Sequence, residues 1–240
     1  MEIQAAISKT NRYSSLEQGN KIEVIERPNG GISIVMAEGK LNAKRSKAVT
    51  MKATHDILSL IAEGVHDGAS ARVVLSRVKN EHEEKASLAV SIISCDLETK
   101  TIVITKNNSV PLFIYDREGS RTLPIHSDPE DLRYNTSVYQ FELVPCQIFI
   151  LISAGVLNAG KNSDNPIDVT LALGSLLDDI DEEPTVQEIA DFLLRQAISH
   201  DSGRPRDDMT VIVLKVLPGT YQSIRREYVS FPIDDEIKGE

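Results

Sequence analysis

Apolar residues recur along this chain with two periods. Alternating or continuous Ile- and Val-rich stretches at 21–26, 31–37, 87–95, 101–105, 112–115, 139–144, 147–153 and 210–217 predict strands. A pleated strand points successive side chains to opposite faces, and β-branched residues pack well on that surface. The opening MEIQAAISKTNRY alternates in the same way and reads as a first strand. Turn signals such as Pro28-Asn29-Gly30-Gly31 and Asp116-Arg117-Glu118-Gly119 favour antiparallel hairpins over crossover units.

A period of 3.6 begins at Asn42. Ala43, Ser46, Thr50, Ala53, Ile57, Leu60, Ile61 and Gly64 share one helical face, and its small first residues allow that end to approach a sheet closely. Asp67 is placed to cap a second helix with Ala71, Val74, Leu75 and Val78 as its buried stripe, before the polar run 79–85. A third helix fits 168–177. A fourth starts at Thr185, whose hydroxyl forms a capping box with Glu188 ahead of Ile189, Leu193 and Ala197. Strands, a helix pair, a strand series, a second helix pair and a last strand predict an α+β fold. Its form is a four-layer αββα sandwich with two mainly antiparallel sheets flanked by helix pairs. One domain is expected over 1–218, followed by a charged tail, 219–240, with Tyr221, Ile224, Tyr228, Val229, Phe231 and Ile233 as its only anchors.

With 41% apolar residues in 240, the chain can bury a core. Its 26 Lys+Arg against 36 Asp+Glu leave a formal charge of −10, which argues against nucleic-acid binding. The longest apolar run, 148–157, is about half of the ~20 residues a membrane helix needs, so no membrane span is expected. The strand-like start does not resemble a secretory leader, and the expected compartment is the cytoplasm. Cys95 and Cys146 lack the spacing of a metal or redox pair and are expected to be reduced core residues.

Three short motifs stand at strand ends: Ala37-Glu38-Gly39, Ser153-Ala154-Gly155 and Arg206-Asp207-Asp208-Met209-Thr210. Adjacent carboxylates repel unless solvated or bridged by a cation, and Mg²⁺ and Mn²⁺ favour carboxylate oxygens. The Asp207-Asp208 pair therefore reads either as a metal site or as an acidic turn beside Arg204 and Arg206. Lys40, Lys44, Arg45, Lys47 and Lys52 concentrate positive charge near the first helix. They suit a phosphate group, with a helix amino terminus capped by Asn42, or simply a solvated face. His55, His66, His82, His126 and His200 are scattered without ligand spacing, Asn107-Asn108 reads as a structural turn, and the acidic run 178–183 as a helix end.

The acidic-Gly strand end, the helix pair, the x-x-Gly turn and the late RDDMTVIVL strand together resemble the metal-dependent phosphatases related to type 2C. The branch they resemble is the bacterial one typified by stage II sporulation protein E, and the resemblance spans roughly 11–217. It implies an αββα phosphatase-like domain in which a binuclear Mg²⁺ or Mn²⁺ centre activates water against phosphoserine or phosphothreonine. By position it makes Asp207 a metal ligand, Asp208 an auxiliary ligand, Glu38 the bridging acid and the Gly39 carbonyl a ligand of the second ion. Asn20 and Ala154 stand where relatives carry aspartates, and alanine has no side-chain ligand atom. The resemblance thus implies at most one weakly held Mn²⁺ or Mg²⁺. It implies either weakened hydrolysis or a non-catalytic pseudophosphatase that binds a phosphorylated protein, with an anti-sigma-factor antagonist as the partner by analogy.

Overall fold

The computed structural model describes residues 1–13, 15, 19–41, 44–82, 85–116, 119–123, 135–177, 183–219 and 224–230. In chain order the strands are β1 (Glu2–Thr10), β2 (Asn20–Glu26), β3 (Gly31–Leu41), β4 (Lys44–Arg45), β5 (Ala86–Asp96), β6 (Thr101–Lys106), β7 (Leu112–Asp116), β8 (Gly119–Leu123), β9 (Ser137–Glu142), β10 (Ile148–Ile152) and β11 (Met209–Leu217). The helices are α1 (Lys47–Ala62), α2 (Asp67–Glu81), α3 (Ala154–Leu157), α4 (Val169–Leu177) and α5 (Val186–His200).

Strands β10 and β11 are apolar on both faces because both faces are covered. Phe149, Leu151, Ile212 and Leu214 point between the sheets, whereas Ile148, Ile150, Ile152, Val211 and Val213 point toward helices. One sheet runs β1-β11-β10-β7-β8 and the other β2-β3-β5-β6-β9, with β4 hydrogen-bonded to β3; all these pairings are antiparallel. Helices α1 and α2 cover the second sheet through Val49, Ala53, Ile57, Ile61, Ala71, Val74 and Val78 on Val35, Ala37, Val90 and Ile92. Helix α5 covers the first through Ile189, Leu193 and Ala197. The result is the expected four-layer α+β sandwich.

Several local expectations shift. Helix α1 starts at Lys47 with Ser46 as its cap, its Oγ accepting from Val49 N at 3.3 Å. Lys44 and Arg45 instead continue β3 as a short hairpin, and Asn42 lies outside the described residues. Small residues and period alone could not separate a hairpin from a first helical turn. Asp67 does not cap α2: His66 holds the cap position without a side-chain bond, and Asp67 is the first helical residue. Its carboxylate accepts from Arg27 Nη1 at 2.6 Å, and the same nitrogen reaches Ser33 Oγ and Ser94 Oγ. A buried ion pair with hydrogen-bonded neighbours has taken the carboxylate from the capping role. Strand β8 carries no apolar alternation and was not expected. Cys95 is buried, its thiol pushed up to about 12 by burial, while Cys146 is half-buried in the connection before β10. Asp178, His126, Tyr221, Phe231 and Ile233 fall outside the described residues. No helix among the described residues is long and apolar enough to cross a membrane.

Candidate functional site

At one end of the layer between the sheets, the inward row of each strand changes from apolar to polar. Alternation carries Ile22 to Asn20 in β2, Ile34 and Met36 to Glu38 in β3, Ile93 to Ser91 in β5, and Ile102 and Ile104 to Lys106 in β6. From the other sheet, Phe149 and Leu151 lead to Ser153, and Leu214 and Ile212 lead to Thr210 and Asp208. Asn20 is the register partner of Glu38, and Ser91 that of Lys106. These side chains, drawn from both sheets, make one end of the layer polar, where Glu38 reaches Ala154 N and where Asn20 and Ser153 reach the Asp208 carbonyl.

Asp208 is 1% exposed. Its Oδ1 accepts from Arg12 N at 2.9 Å and its Oδ2 from Gly19 N at 2.5 Å, so the carboxylate clasps the connection between β1 and β2. Asn20 Nδ2 lies 3.5 Å from the Asp208 carbonyl, and Ser153 Oγ donates to that carbonyl at 3.3 Å. Asp207 is half-buried, with Oδ1 accepting from Asp208 N at 3.0 Å.

Ala154 and Gly155 open α3 rather than forming a plain turn. A Cβ on Gly155 would stand 2.1 Å from the Asp208 carbonyl oxygen and 3.3 Å from Asp207 Cβ, so only glycine lets α3 approach the start of β11 this closely. Glu38 reaches across from the opposite sheet, its Oε1 accepting from Ala154 N at 3.4 Å. Glu38, Ala154 and Asp207 therefore converge from three distant stretches of chain. Glu38 and Gly39 lie inside β3 rather than in a turn beyond it, because β4 and β5 continue the ladder past them. The Gly39 carbonyl accepts from Ser46 N at 3.0 Å.

Lys106 is a member of this polar end that sequence reasoning missed. The expected strand stopped at Thr105, yet the row Ile102, Ile104, Lys106 was the signal that could have found it. The side chain is fully buried, and its Nζ donates to the Val110 carbonyl. Burial pushes its pKa down to about 7, opposed by the Glu38 carboxylate, which raises it. The next two residues are indeed structural. Asn107 Oδ1 accepts from Val90 N and its Nδ2 donates to the Leu88 carbonyl at 2.7 Å, while Asn108 Nδ2 donates to Ser91 Oγ at 2.9 Å. Side-chain amides thereby prolong the β5 ladder where the backbone turns away.

The donor set present does not fit a binuclear metal centre. Both Asp208 oxygens and one oxygen each of Glu38 and Asp207 accept backbone N–H groups, and Gly39 does so through its carbonyl. Ala154 presents an N–H where a further anionic oxygen would be needed, and a buried lysine faces the same layer. Among the described residues, no three His, Cys, Asp or Glu side chains form a metal-holding group. The basic residues stand around the start of α1, of which Lys47 is the first residue. Lys40 is exposed on β3 opposite Arg45, Lys44 and Arg45 are strand residues of which only the backbone is described, and Lys52 pairs with Glu81 at 2.6 Å.

Comparison with known proteins agrees with this architecture. The chain is 19% identical over 223 residues to the stage II sporulation protein E of Priestia megaterium, covering 91% of this chain and 37% of that protein. With the protein of the same description from Bacillus subtilis (strain 168) it is 21% identical over 208 residues, covering 84% of this chain and 24% of that one. The chain thus spans little more than a third of the length of one curated relative and about a quarter of the other. The phosphatase domain of the cell-fate determinant SpoIIE from Bacillus subtilis superposes with a TM-score of 0.66 at 19% identity, covering 97% of this chain and 98% of that one. The model of the family described as stage II sporulation protein E (SpoIIE) matches residues 45–217, and the chain belongs to that family.

Proposed function

We propose that this chain acts as a SpoIIE-type regulatory module that binds a phosphorylated protein and has little or no hydrolytic turnover of its own. The observation that carries the reading is the contact of Ala154 N with Glu38: a neutral N–H donor meets the acid where the resemblance calls for another carboxylate. Removing even an outer-shell partner of a metal typically costs about 10–100-fold in affinity or activity, and the loss of a direct ligand costs no less. Asp208 adds support, since its two oxygens are committed to backbone N–H groups. By family analogy the partner is a small phosphoprotein of the anti-sigma-factor antagonist class, met in the cytoplasm.

The second reading is weak hydrolysis with one Mn²⁺ or Mg²⁺, favoured by the half-buried Asp207 side chain beside Gly155. Hydrolysis of a small aryl phosphate separates the two. The wild type is expected to stay at background with and without Mn²⁺. Combining Ala154→Asp with Glu38→Asp restores an anionic oxygen and shortens the bridge, and is expected to raise a Mn²⁺-dependent rate. Metal-stimulated multiple turnover by the wild type would overturn the regulatory reading.

A further inference from the structure

We infer that Arg12, Arg204 and Arg206, together with Tyr13, form the surface on which this chain receives the phosphoryl group of a phosphorylated protein segment. This deepens the proposed function and rests on it, because it names the side chains that recognise the partner. Two stretches far apart in sequence are tied together here. Tyr13 N donates to the Pro205 carbonyl at 2.7 Å and Arg12 N to Asp208 Oδ1 at 2.9 Å, so the chain after β1 lies against the turn before β11. Asp201 fixes that turn: its carbonyl accepts from Arg204 N at 3.1 Å, and its Oδ2 accepts from Arg206 N at 2.9 Å. The Arg204 guanidinium stands over the Tyr13 ring, 5.2 Å from its centroid, and joins the two stretches through side chains as well.

Charge is sorted across this junction. Asp208 and Asp201 are buried, and each carboxylate holds two backbone N–H groups, while the half-buried Asp207 accepts from Asp208 N. The three arginines are all exposed, and none takes part in an ion pair among the described residues. In a chain of formal charge −10 they make a local excess of positive charge beside the polar end of the layer. A guanidinium offers a planar fork of donors that matches two phosphate oxygens, and it stays charged at any working pH. A phosphoserine or phosphothreonine brings close to two negative charges on three acceptor oxygens. Backbone bonds that hold the arginines in place beforehand lower the entropy lost on binding. Three arginines suit one such group, whereas a nucleic-acid strand needs a longer track of cations on a chain whose remaining charge repels it.

The test is fluorescence anisotropy on the full chain in EDTA, where no metal-dependent turnover consumes the probe. The probes are a labelled peptide with one phosphoserine among glycines and alanines, its unphosphorylated counterpart, and a single-stranded oligothymidylate. The wild type is expected to bind the phosphopeptide about tenfold or more tightly than the unphosphorylated peptide. Arg12→Gln, Arg204→Gln and Arg206→Gln combined should abolish that advantage. Lys52→Gln, Arg77→Gln and Arg225→Gln combined delete the same charge from surface ion pairs elsewhere and should keep it. Tyr13→Ala should weaken phosphopeptide binding about threefold by releasing Arg204, and Tyr13→Phe, which keeps the ring, should not. The single arginine variants, each expected to lose about threefold or more, read the same surface should the triple variant not fold. An advantage that survives loss of the arginines, or falls equally in the control, overturns the inference and leaves the regulatory reading in place. Tighter binding of the oligothymidylate than of the phosphopeptide overturns it as well, and a wild type that binds no phosphopeptide overturns both. Turnover of the aryl phosphate by the wild type would remove the regulatory reading alone, since these titrations read binding.

Discussion

A buried carboxylate can serve an ion or the backbone, and at Asp208 two backbone N–H groups hold it. Hydrogen bonds to a charged acceptor each contribute about 1.5–3 kcal/mol, and an asparagine would turn its NH₂ toward one of those donors. Asp208→Asn should therefore destabilise the protein by about 2 kcal/mol or more in urea denaturation. Asp207→Asn, at a half-buried position bonded to its own turn, should cost less than about 1 kcal/mol. The opposite ranking would show that Asp208 does not clasp the β1–β2 connection. Adjacent in sequence, the two acids read alike. Their difference comes from Arg12 and Gly19, 196 and 189 residues away. Lys106 was legible in principle, since alternation from Ile102 and Ile104 points it inward, but a lysine after an apolar run also reads as the strand's solvated end.

At the scale of elements, helix α5 shows how far local chemistry reaches. Thr185 and Glu188 form the expected capping box, the Thr185 Oγ1 accepting from Glu188 N at 3.2 Å and the Glu188 carboxylate from Thr185 N at 2.8 Å. Both partners lie within one turn, so spacing alone reveals the motif. Thr185→Ala is expected to cost about 1 kcal/mol. The bonds from Thr185 hold the Glu188 carboxyl below its ordinary 4.5. Its contribution is therefore complete above the unfolded value and lost as pH falls through the lowered folded value. The melting-temperature gap between wild type and Glu188→Gln should accordingly be open near about pH 7 and close near about pH 3. A gap that widened on acidification would exclude this carboxylate as the source. The start of α1 was less legible, because the hairpin of Lys44 and Arg45 with β3 is fixed by pairing rather than by propensity.

Across the whole molecule, the two sheets share one apolar layer, and Phe149 stands in it, fully buried with its ring 5.3 Å from that of Phe141 on the opposite sheet. Phe149→Ala should cost about 4 kcal/mol, and because both sheets lose the same contact, far-ultraviolet circular dichroism and tyrosine emission should report coincident urea transitions. Separate transitions would mean that the sheets unfold independently. What the sequence by itself determined is whatever depends on near neighbours: the strand and helix periods, the capping box, the four-layer order and the missing ligand atom at Ala154. Tertiary structure alone decided that Asp208 holds backbone, that Glu38 meets an N–H 116 residues away, and that Lys106 is buried in the same layer. The physical reason is that a side chain's direction follows from its own strand's alternation, whereas its partner follows from the register and stacking of two sheets assembled from distant parts of the chain.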